Sequence, residues 1–223
     1  MNQSYLIGID IGTSACTVAL FDRSGCVLAA ANGDYPVYYP KEGWAEQNPE
    51  EWWSAVCGAV RQVIEEASVA PEEIAGVGID GQSWSAIAID RNGHVLTNTP
   101  LWMDTRAQSI CDRLNEEIGA EAIVEVAGNS LQPSYTTAKI LWYKENLPEV
   151  YAKIDKILQS NSFIAFKLTG AVSQDLSQGY GLHCFDMRTG KWNEAMCEKL
   201  GIPVEFLPEI VPCDHVVGTV TKK

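Results

Sequence analysis

The sequence predicts an α/β domain in which an antiparallel β-meander is followed by a helix, more sheet and a largely helical second half. Between residues 5 and 35, apolar runs alternate with turn residues, which is typical of strands joined by hairpins. After Asp104 the apolar residues recur at helical spacing. We find no repeat and no linker that would mark an independent second domain, so residues 1–223 are predicted to form one domain.

The bulk composition is that of a globular protein with a sizeable core. The chain has 223 residues, of which 46% are hydrophobic, and a net charge of −13. Such an acidic surface disfavours nucleic acid and anionic membranes as partners. The seven scattered cysteines include no Cys-x-x-Cys pair, which predicts reduced thiols, and no apolar run approaches the ~20 residues of a membrane span. We therefore expect a soluble, cytoplasmic protein.

The first half of the chain is predicted to be mostly sheet. One strand ends at Asp10, and two more run over about residues 16–21 and 26–31. A helix is predicted from Asn48, the cap, to about Ser68, because proline and two acids follow the cap. A strand follows over residues 74–79, and then a hairpin with an Asn-Gly turn joins residues 85–89 to 94–96.

Three helices are predicted in the second half. The first covers residues 105–118, where apolar side chains recur at helical spacing. The second covers residues 136–146 and stops before Pro148, and the third covers residues 160–168 and ends at Gly170.

The segment IGIDIGTS at residues 7–14 is a candidate phosphate site. An apolar run ends on Asp10, and the turn that follows offers backbone N–H groups and two hydroxyls, which can hold a phosphate with the acid beside its metal. It is neither a Walker loop nor a Rossmann fingerprint. An ordinary hairpin turn, rich in the same residues, is the alternative interpretation.

Polar and aromatic residues after later strands are candidates for binding a polyol. Gln82 can donate and accept hydrogen bonds, and Trp84 offers a flat apolar face, although a buried Trp beside a turn would look the same. Trp102 and Asp104 repeat the pattern, with Asp104 either binding a hydroxyl or capping the next helix. Ser134 is likewise a pocket hydroxyl or a cap.

Other features give weaker signals. Residues 175–178 form either a second pocket wall or only a turn, and the aromatic stretch 44–53 is interpreted as loop packing ahead of the capped helix. The three histidines are isolated, so a zinc site is not expected.

Taken in order, these segments resemble the FGGY family of carbohydrate kinases, and within it the xylulose kinase group. The resemblance rests on six motifs that span nearly the whole chain: IGIDIGTS (7–14), GWAEQNPEEWW (43–53), GVGIDGQSW (76–84), LWMDTRA (101–107), PSYTTAKILW (133–142) and KLTGAVSQDLS (167–177). It implies the actin/hexokinase/Hsp70-like ATPase fold, related to ribonuclease H, with a helical insertion.

The resemblance also implies an activity and a set of site residues. A family member transfers the γ-phosphoryl group of ATP to a sugar hydroxyl, here most simply D-xylulose giving xylulose 5-phosphate, with Mg²⁺ neutralising phosphate charge. The residues implied to hold Mg²⁺ and ATP are Asp10, Gly12, Thr13, Ser14 and Thr17, with Asp10 at the metal. Those implied to line the sugar pocket are Gln82, Ser83, Trp84, Trp102, Asp104, Ser134 and Tyr135.

The sequence departs from the family pattern in three respects. Residues 82–85 read Gln-Ser-Trp-Ser where many xylulose kinases read Gln-Met-His-Gly, which leaves the sugar open, and Asn161-Ser162 replaces the usual start of its helix. The family's second lobe, which carries the catalytic aspartate and most of the adenine site, lies beyond Lys223. We therefore expect that the 223-residue chain alone does not turn over, and that the full-length protein can form a homodimer.

Three alternatives remain open at this point. The sugar could be another polyol or a sugar acid, such as glycerol, ribulose or gluconate. The chain could be a sugar-binding module without catalysis. An Hsp70-like or actin-like ATPase would share the phosphate hairpin but has no reason to keep Trp84, Trp102 and Asp104 together.

Overall fold

The computed structural model describes residues 4–221, so the first three and last two residues of the predicted domain lie outside the described part. The strands are β1 (Tyr5–Ile11), β2 (Ala15–Asp22), β3 (Val27–Asp34), β4 (Glu46–Gln47), β5 (Ile74–Gly81), β6 (Ile87–Ile89), β7 (Thr99–Pro100), β8 (Lys156–Leu158), β9 (Ser173–Asp175), β10 (Phe185–Asp186), β11 (Lys191–Trp192) and β12 (Glu209–Val211). The α-helices are α1 (Pro49–Ala67), α2 (Gln108–Leu114), α3 (Ala120–Ala127), α4 (Thr136–Asn146), α5 (Pro148–Tyr151), α6 (Ser160–Thr169), α7 (Leu176–Gly179) and α8 (Glu194–Leu200).

The described residues divide into two compact units. Unit 1 contains the residues up to Val37 together with Asn48–Gln82, and unit 2 contains Tyr38–Gln47 and the residues from Ser83 onward. Unit 1 holds a four-stranded sheet in the order β3-β2-β1-β5. The predicted meander is confirmed, since β1 pairs antiparallel with β2 and β2 with β3, while β5 runs parallel to β1.

Helix α1 covers one face of the sheet in unit 1. It begins as the sequence predicts, because the Asn48 side chain accepts a hydrogen bond from the Glu50 N–H at 3.0 Å and proline occupies the first helical position. Gly33 lets the helix approach β3 closely, since a Cβ there would lie 2.9 Å from the Cβ of Ala55. The side chains that α1 buries are Trp52, Val56, Ala59 and Val63.

Unit 2 packs its helices around a separate hydrophobic core. Short strand pairs lie among the helices: β4 with β7, β6 with β8, and β10 with β11 run antiparallel, while β9 and β12 run parallel. The larger buried apolar side chains of this core include Ile110, Leu114, Ile123, Ile140, Leu141, Tyr143, Ile157, Met196 and Leu200.

The second predicted hairpin is only partly formed. Gly93 makes the turn with φ 81°, but the returning chain meets β6 at one bridge between Ile89 and Val95. The ladder partner of β6 is β8, a strand that the sequence analysis missed. All three residues of β6 are buried, so the backbone groups along both of its edges need hydrogen-bond partners. The short hairpin supplies partners along one edge, and β8 supplies them along the other.

The predicted helix over residues 105–118 is wrong in its bounds. The Thr105 N–H donates to the Gly43 carbonyl at 2.8 Å, so the helix begins only at Gln108. After Leu114 the chain changes to a π-helical turn over Asn115–Gly119, and α3 follows. Helices α4 and α6 form as predicted, and α6 ends at Gly170 with φ 80°. Within residues 4–221, no helix combines the length and the apolar character that crossing a membrane requires.

Candidate functional site

The turn between β1 and β2 is tight enough to require glycine. The Gly12 N–H donates to the Ala15 carbonyl at 3.0 Å, and a Cβ on Gly12 would lie 2.8 Å from that same oxygen. The Tyr35 hydroxyl donates to the Gly12 carbonyl at 2.7 Å, which ties the turn to the end of β3. The turn therefore presents the partly buried Thr13 and the exposed Ser14 on a fixed backbone.

Four polar residues form one row across the sheet beside this turn. The strand register places Asp80 opposite Asp10, Asp10 opposite Thr17, and Thr17 opposite Asn32. Paired residues on neighbouring strands direct their side chains to the same face, and the Thr17 hydroxyl donates to Asn32 Oδ1 at 3.0 Å. All four residues are exposed in the described chain, so the row sets two accessible carboxylates on neighbouring strands.

The donor set of this row fits Mg²⁺. This ion binds oxygen, and it usually takes one or two protein carboxylates together with substrate phosphates and water. Across residues 4–221, no group of three or more His, Cys, Asp or Glu side chains is arranged to hold a metal ion. The protein's share of a magnesium site in unit 1 would therefore be Asp10 and its neighbour Asp80.

Sequence reasoning missed Asp80 and Asn32. The tripeptide Gly-Ile-Asp occurs at residues 8–10 and again at residues 78–80, and the two copies lie in register on β1 and β5. That repetition was the signal that pointed to Asp80. Asn32 carried no such signal, because its place depends on the pairing of β3 with β2.

In unit 2, Trp84 and Tyr135 come together. Their ring centroids lie 4.4 Å apart, and Tyr180 contacts both rings edge-on, at 6.1 Å from Trp84 and 6.4 Å from Tyr135. Trp84 is one of two non-glycine residues with positive φ, at 69°, in the part of the chain that the structure describes. Such a conformation is uncommon for a bulky residue and requires support from its surroundings. Its indole nitrogen is buried without a hydrogen-bond partner.

The backbone around Trp84 is held by one face of α4. Thr136, Lys139 and Tyr143 follow the i, i+3, i+7 spacing that places side chains on the same side of a helix. Each side chain donates to one carbonyl of residues 84–86. The acceptors are the carbonyls of Ser85 for Thr136 at 3.1 Å, Trp84 for Lys139 at 2.6 Å, and Ala86 for Tyr143 at 3.0 Å.

Two glutamines hold the same segment from its other side. The Gln159 side chain accepts from the Trp84 N–H at 2.9 Å and donates to the Gln178 carbonyl at 2.6 Å. The Gln178 amide donates in turn to the Ser83 hydroxyl at 3.1 Å. Asp175 caps α7, so residues 175–178 form a capped turn that also contacts Ser83.

The ammonium of Lys139 lies in a fully buried position. Burial lowers the pKa of Lys139 from 10.5 to about 7, although the charge of Asp104 works in the opposite direction and that of Arg106 adds to the lowering. The charged ammonium loses more solvation energy on burial than the neutral amine does, so burial favours the neutral form and lowers the pKa. Sequence reasoning missed this lysine, since a Lys in a helix usually faces solvent.

Asp104 lies in a buried ion-pair network. Its Oδ2 accepts from the Ala45 N–H at 2.7 Å and from Arg106 Nη2 at 2.8 Å, and its Oδ1 accepts from the Arg106 backbone N–H at 2.9 Å. Arg106 also pairs with Glu46 at 2.8 Å, and its guanidinium lies 3.8 Å from the centre of the Trp44 ring. Asp104 is not the cap of a helix, because α2 starts after Ala107. The capping interpretation is therefore wrong.

The remaining predicted residues occupy both units. Asp10, Gly12, Thr13, Ser14 and Thr17 all belong to unit 1, as does Gln82, whose N–H donates to the Ile11 carbonyl at 2.7 Å. Unit 2 carries Trp102, which is 45% exposed, and Ser134, which directly precedes Tyr135.

The comparisons with known proteins extend over almost the whole chain. Residues 5–223 match the N-terminal domain of the FGGY family of carbohydrate kinases. The chain belongs to this family. The structure also resembles crystal structures of FGGY kinases, which confirms the actin/hexokinase-like ATPase fold.

Relatives within the FGGY family carry different substrate names. A xylulose kinase from Bacillus subtilis is 31% identical over 97% of this chain and 43% of its own length. A glycerol kinase from Carboxydothermus hydrogenoformans is 31% identical over 98% of this chain and 45% of its own length. A gluconate kinase structure from Lactobacillus acidophilus superimposes with a TM-score of 0.91 at 28% identity, covering 98% of this chain and 44% of the other. This chain thus spans slightly less than half the length of these relatives.

Proposed function

We propose that this chain is the sugar-binding and phosphate-binding portion of an ATP-dependent carbohydrate kinase. Membership of the FGGY family carries the proposal. The tight Gly12 turn and the Asp10–Asp80 pair support it, because phosphoryl transfer depends on positioned phosphates and on neutralisation of their charge. A related glycerol kinase from Plasmodium falciparum was crystallised with ADP, which favours an adenine nucleotide as the donor.

In unit 1 we assign the phosphate side of the reaction to Asp10, Gly12, Thr13, Ser14 and Thr17. Asp10 and Asp80 would hold Mg²⁺, and the metal supplies charge neutralisation at the phosphate oxygens when it is bound. The hydroxyls of the turn would donate hydrogen bonds to phosphate oxygens. The acid that accepts the proton of the sugar hydroxyl is expected in the family's second lobe, and we assign no residue of this chain to that role.

In unit 2 we assign Ser83, Trp84, Trp102, Ser134 and Tyr135 to sugar binding. In unit 1 we assign Gln82 to sugar binding, on the family resemblance. Asp104 remains in the proposed set. Because its oxygens already accept hydrogen bonds from Ala45 and Arg106, we propose that it fixes the position of the segment that follows Trp102.

D-xylulose is the substrate we favour. The Trp84 and Tyr135 rings suit the C–H face of a sugar, and the Ser83 hydroxyl suits its polar edge. None of these side chains carries a formal charge, which favours a neutral polyol over a sugar acid. The seven free cysteines fit a reducing compartment, so we place the protein in the cytoplasm. Homodimer formation stays a prediction.

A sugar panel tests the proposal. The full-length kinase that carries this chain should release ADP with D-xylulose faster than with glycerol, D-ribulose or D-gluconate. A faster reaction with another of these sugars would overturn the choice of xylulose but not the kinase. Binding of sugar without ADP release from any of them would instead favour a sugar-binding module. The 223-residue chain alone should bind sugar but produce no ADP.

A further inference from the structure

Residues 83–86 form a wall that is held mainly by side chains. Trp84 and Ser85 lie between the end of β5 and the start of β6, and within residues 4–221 no strand pairs with them. The Trp84 N–H binds the Gln159 side chain, and the carbonyls of Trp84 and Ser85 accept from side chains of α4. The conformation of the wall therefore depends on those side chains.

Both polar groups of the Trp84 backbone are fixed in this way. Gln159, which is 1% exposed, accepts from its N–H, and the buried Lys139 donates to its carbonyl. A tryptophan at φ 69° without such support would relax toward the ordinary helical or extended regions. Relaxation would rotate the indole away from Tyr135, because the Cα–Cβ bond turns with the backbone.

Gln159 also connects the two sides of the wall. The amide group that accepts from Trp84 donates to the Gln178 carbonyl, and Gln178 holds the Ser83 hydroxyl. One buried side chain thus sets the direction of an aromatic ring and, through Gln178, the place of a neighbouring hydroxyl. Its tight surroundings leave little freedom, since a Cβ on Gly181 would lie 2.7 Å from Trp84 Cδ1 and 3.3 Å from Gln159 Nε2.

We propose that Gln159 and Lys139 are positioning residues of the sugar pocket, which hold Trp84 in its left-handed conformation and so fix the indole that contacts the sugar. This inference rests on the proposed function, because it assumes that Trp84 binds the sugar. Neither residue needs to touch the sugar. Their substitution should therefore act on sugar affinity indirectly, through Trp84 and, for Gln159, also through the Ser83 hydroxyl.

The first test follows the indole itself. Fluorotryptophan is incorporated into the chain, and the fluorine resonance of Trp84 is identified by its loss in Trp84→Phe. We expect Gln159→Met to shift or broaden this resonance in the absence of any sugar. The control is Gln174→Met. Gln174 is also 1% exposed and makes hydrogen bonds through both ends of its side chain, to Ser162 and Asp175. Within residues 4–221 no hydrogen bond joins it to Trp84 or to the Gln159 side chain, and Ser162 connects it only to the Gln159 backbone.

The second test measures D-xylulose binding to the same variants by calorimetry. Gln159→Met should raise the Kd about tenfold, equivalent to about 1.4 kcal/mol, which matches the usual cost of one residue in the left-handed region. Gln174→Met should leave the Kd unchanged. In the background of Trp84→Ala, adding Gln159→Met should raise the Kd by much less than tenfold, because the effect that acts through the indole is lost and only the influence on Ser83 through Gln178 remains. A merely structural role would give additive losses.

The outcomes separate this inference from the proposed function. If Trp84→Ala leaves D-xylulose binding unchanged, Trp84 is not a sugar ligand and both proposals fail at that residue. If Trp84→Ala weakens binding while Gln159→Met changes neither the Kd nor the fluorine resonance, only the positioning role is overturned. Lys139→Met is the second variant of the residues that hold Trp84, and it should also raise the Kd for D-xylulose. Should Gln159→Met or Lys139→Met fail to fold, Gly181→Ala displaces the indole directly, and an unchanged Kd in that variant would count against the inference.

Discussion

His183 gives the clearest pH prediction because it is buried with both ring nitrogens engaged. The Ser130 carbonyl can only accept, so the contact at 3.1 Å assigns the proton to Nε2, and Nδ1 accepts from the Thr137 hydroxyl at 3.1 Å. The Thr137 oxygen already accepts the His183 N–H at 2.7 Å. Burial lowers the pKa of His183 from 6.5 to about 4, against the smaller opposing effect of the Ser130 hydrogen bond.

The size of the effect follows from proton linkage. Between about pH 6.5 and pH 4 the unfolded chain binds a proton at this position and the folded chain does not, so the free energy of unfolding falls as the pH falls. With these two pKa values, the loss is about 2 kcal/mol at pH 5 and about 3 kcal/mol at pH 4. Above about pH 7 the contribution is complete.

Urea unfolding of the wild type and of His183→Gln measures this loss. Glutamine keeps an amide donor for the Ser130 carbonyl but cannot be protonated in this range. The difference in unfolding free energy between about pH 7.5 and pH 5 should be about 2 kcal/mol larger for the wild type than for the variant. The variant serves as the control for every other group that titrates in the same window.

Two results would refute the reasoning. Equal acid losses in the two proteins would mean that protonation of His183 does not oppose folding. An imidazole C2 proton of His183 that titrates near its ordinary value of 6.5 in the folded chain would mean that burial does not suppress the charge.

Three further predictions concern packing, the buried ion pairs and the metal. Gly33→Ala should destabilise unit 1 by about 1–3 kcal/mol in urea unfolding, because its Cβ meets Ala55. Gly58→Ala should instead stabilise α1 by up to about 1 kcal/mol, because apart from the helix's own backbone nothing lies within 4 Å of the new Cβ. Equal effects of the two substitutions would disprove the close approach. Arg106→Met should cost about 3–5 kcal/mol because it strands buried carboxylates, and a loss under about 1 kcal/mol would contradict that account. Asp80→Asn should weaken Mg²⁺-dependent nucleotide binding about fivefold in calorimetry and leave D-xylulose binding unchanged; unchanged nucleotide binding would remove Asp80 from the metal site.

Local chemistry explains which elements could be predicted. Helix α1 carries its own start signal in Asn48, Pro49 and two acids, and its end at Ser68 is as expected. The meander could be predicted because its three strands follow one another in the chain and are joined by short turns. The pairing of β6 with β8 could not be predicted, because no local pattern links residues 87–89 to residues 156–158. The π-helical turn after α2 likewise lacks a local signal.

The same distinction applies to the candidate site. Asp10 was visible because it lies near the end of an apolar strand, and Trp84 was visible because it follows the end of β5. Each lies in a recognisable residue pattern. Lys139 and Gln159 were not visible, since their roles depend on hydrogen bonds to a backbone that lies 55 and 75 positions away in the chain. Asp104 was visible for a different reason from the one that the structure shows. Its motif marks a buried partner of Arg106 as readily as a ligand for a hydroxyl.

The face of α4 that carries Thr136, Lys139 and Tyr143 has a consequence for how the protein can be altered. Each of these side chains governs a different carbonyl of the wall, so a change on one helical turn would adjust one point of the wall and leave its neighbours in place. Substitutions on this face of α4 could then change the sugar preference without replacing any residue that contacts the sugar. A library of variants at these three positions is small, and it would change the backbone of residues 84–86 without changing a residue that contacts the sugar.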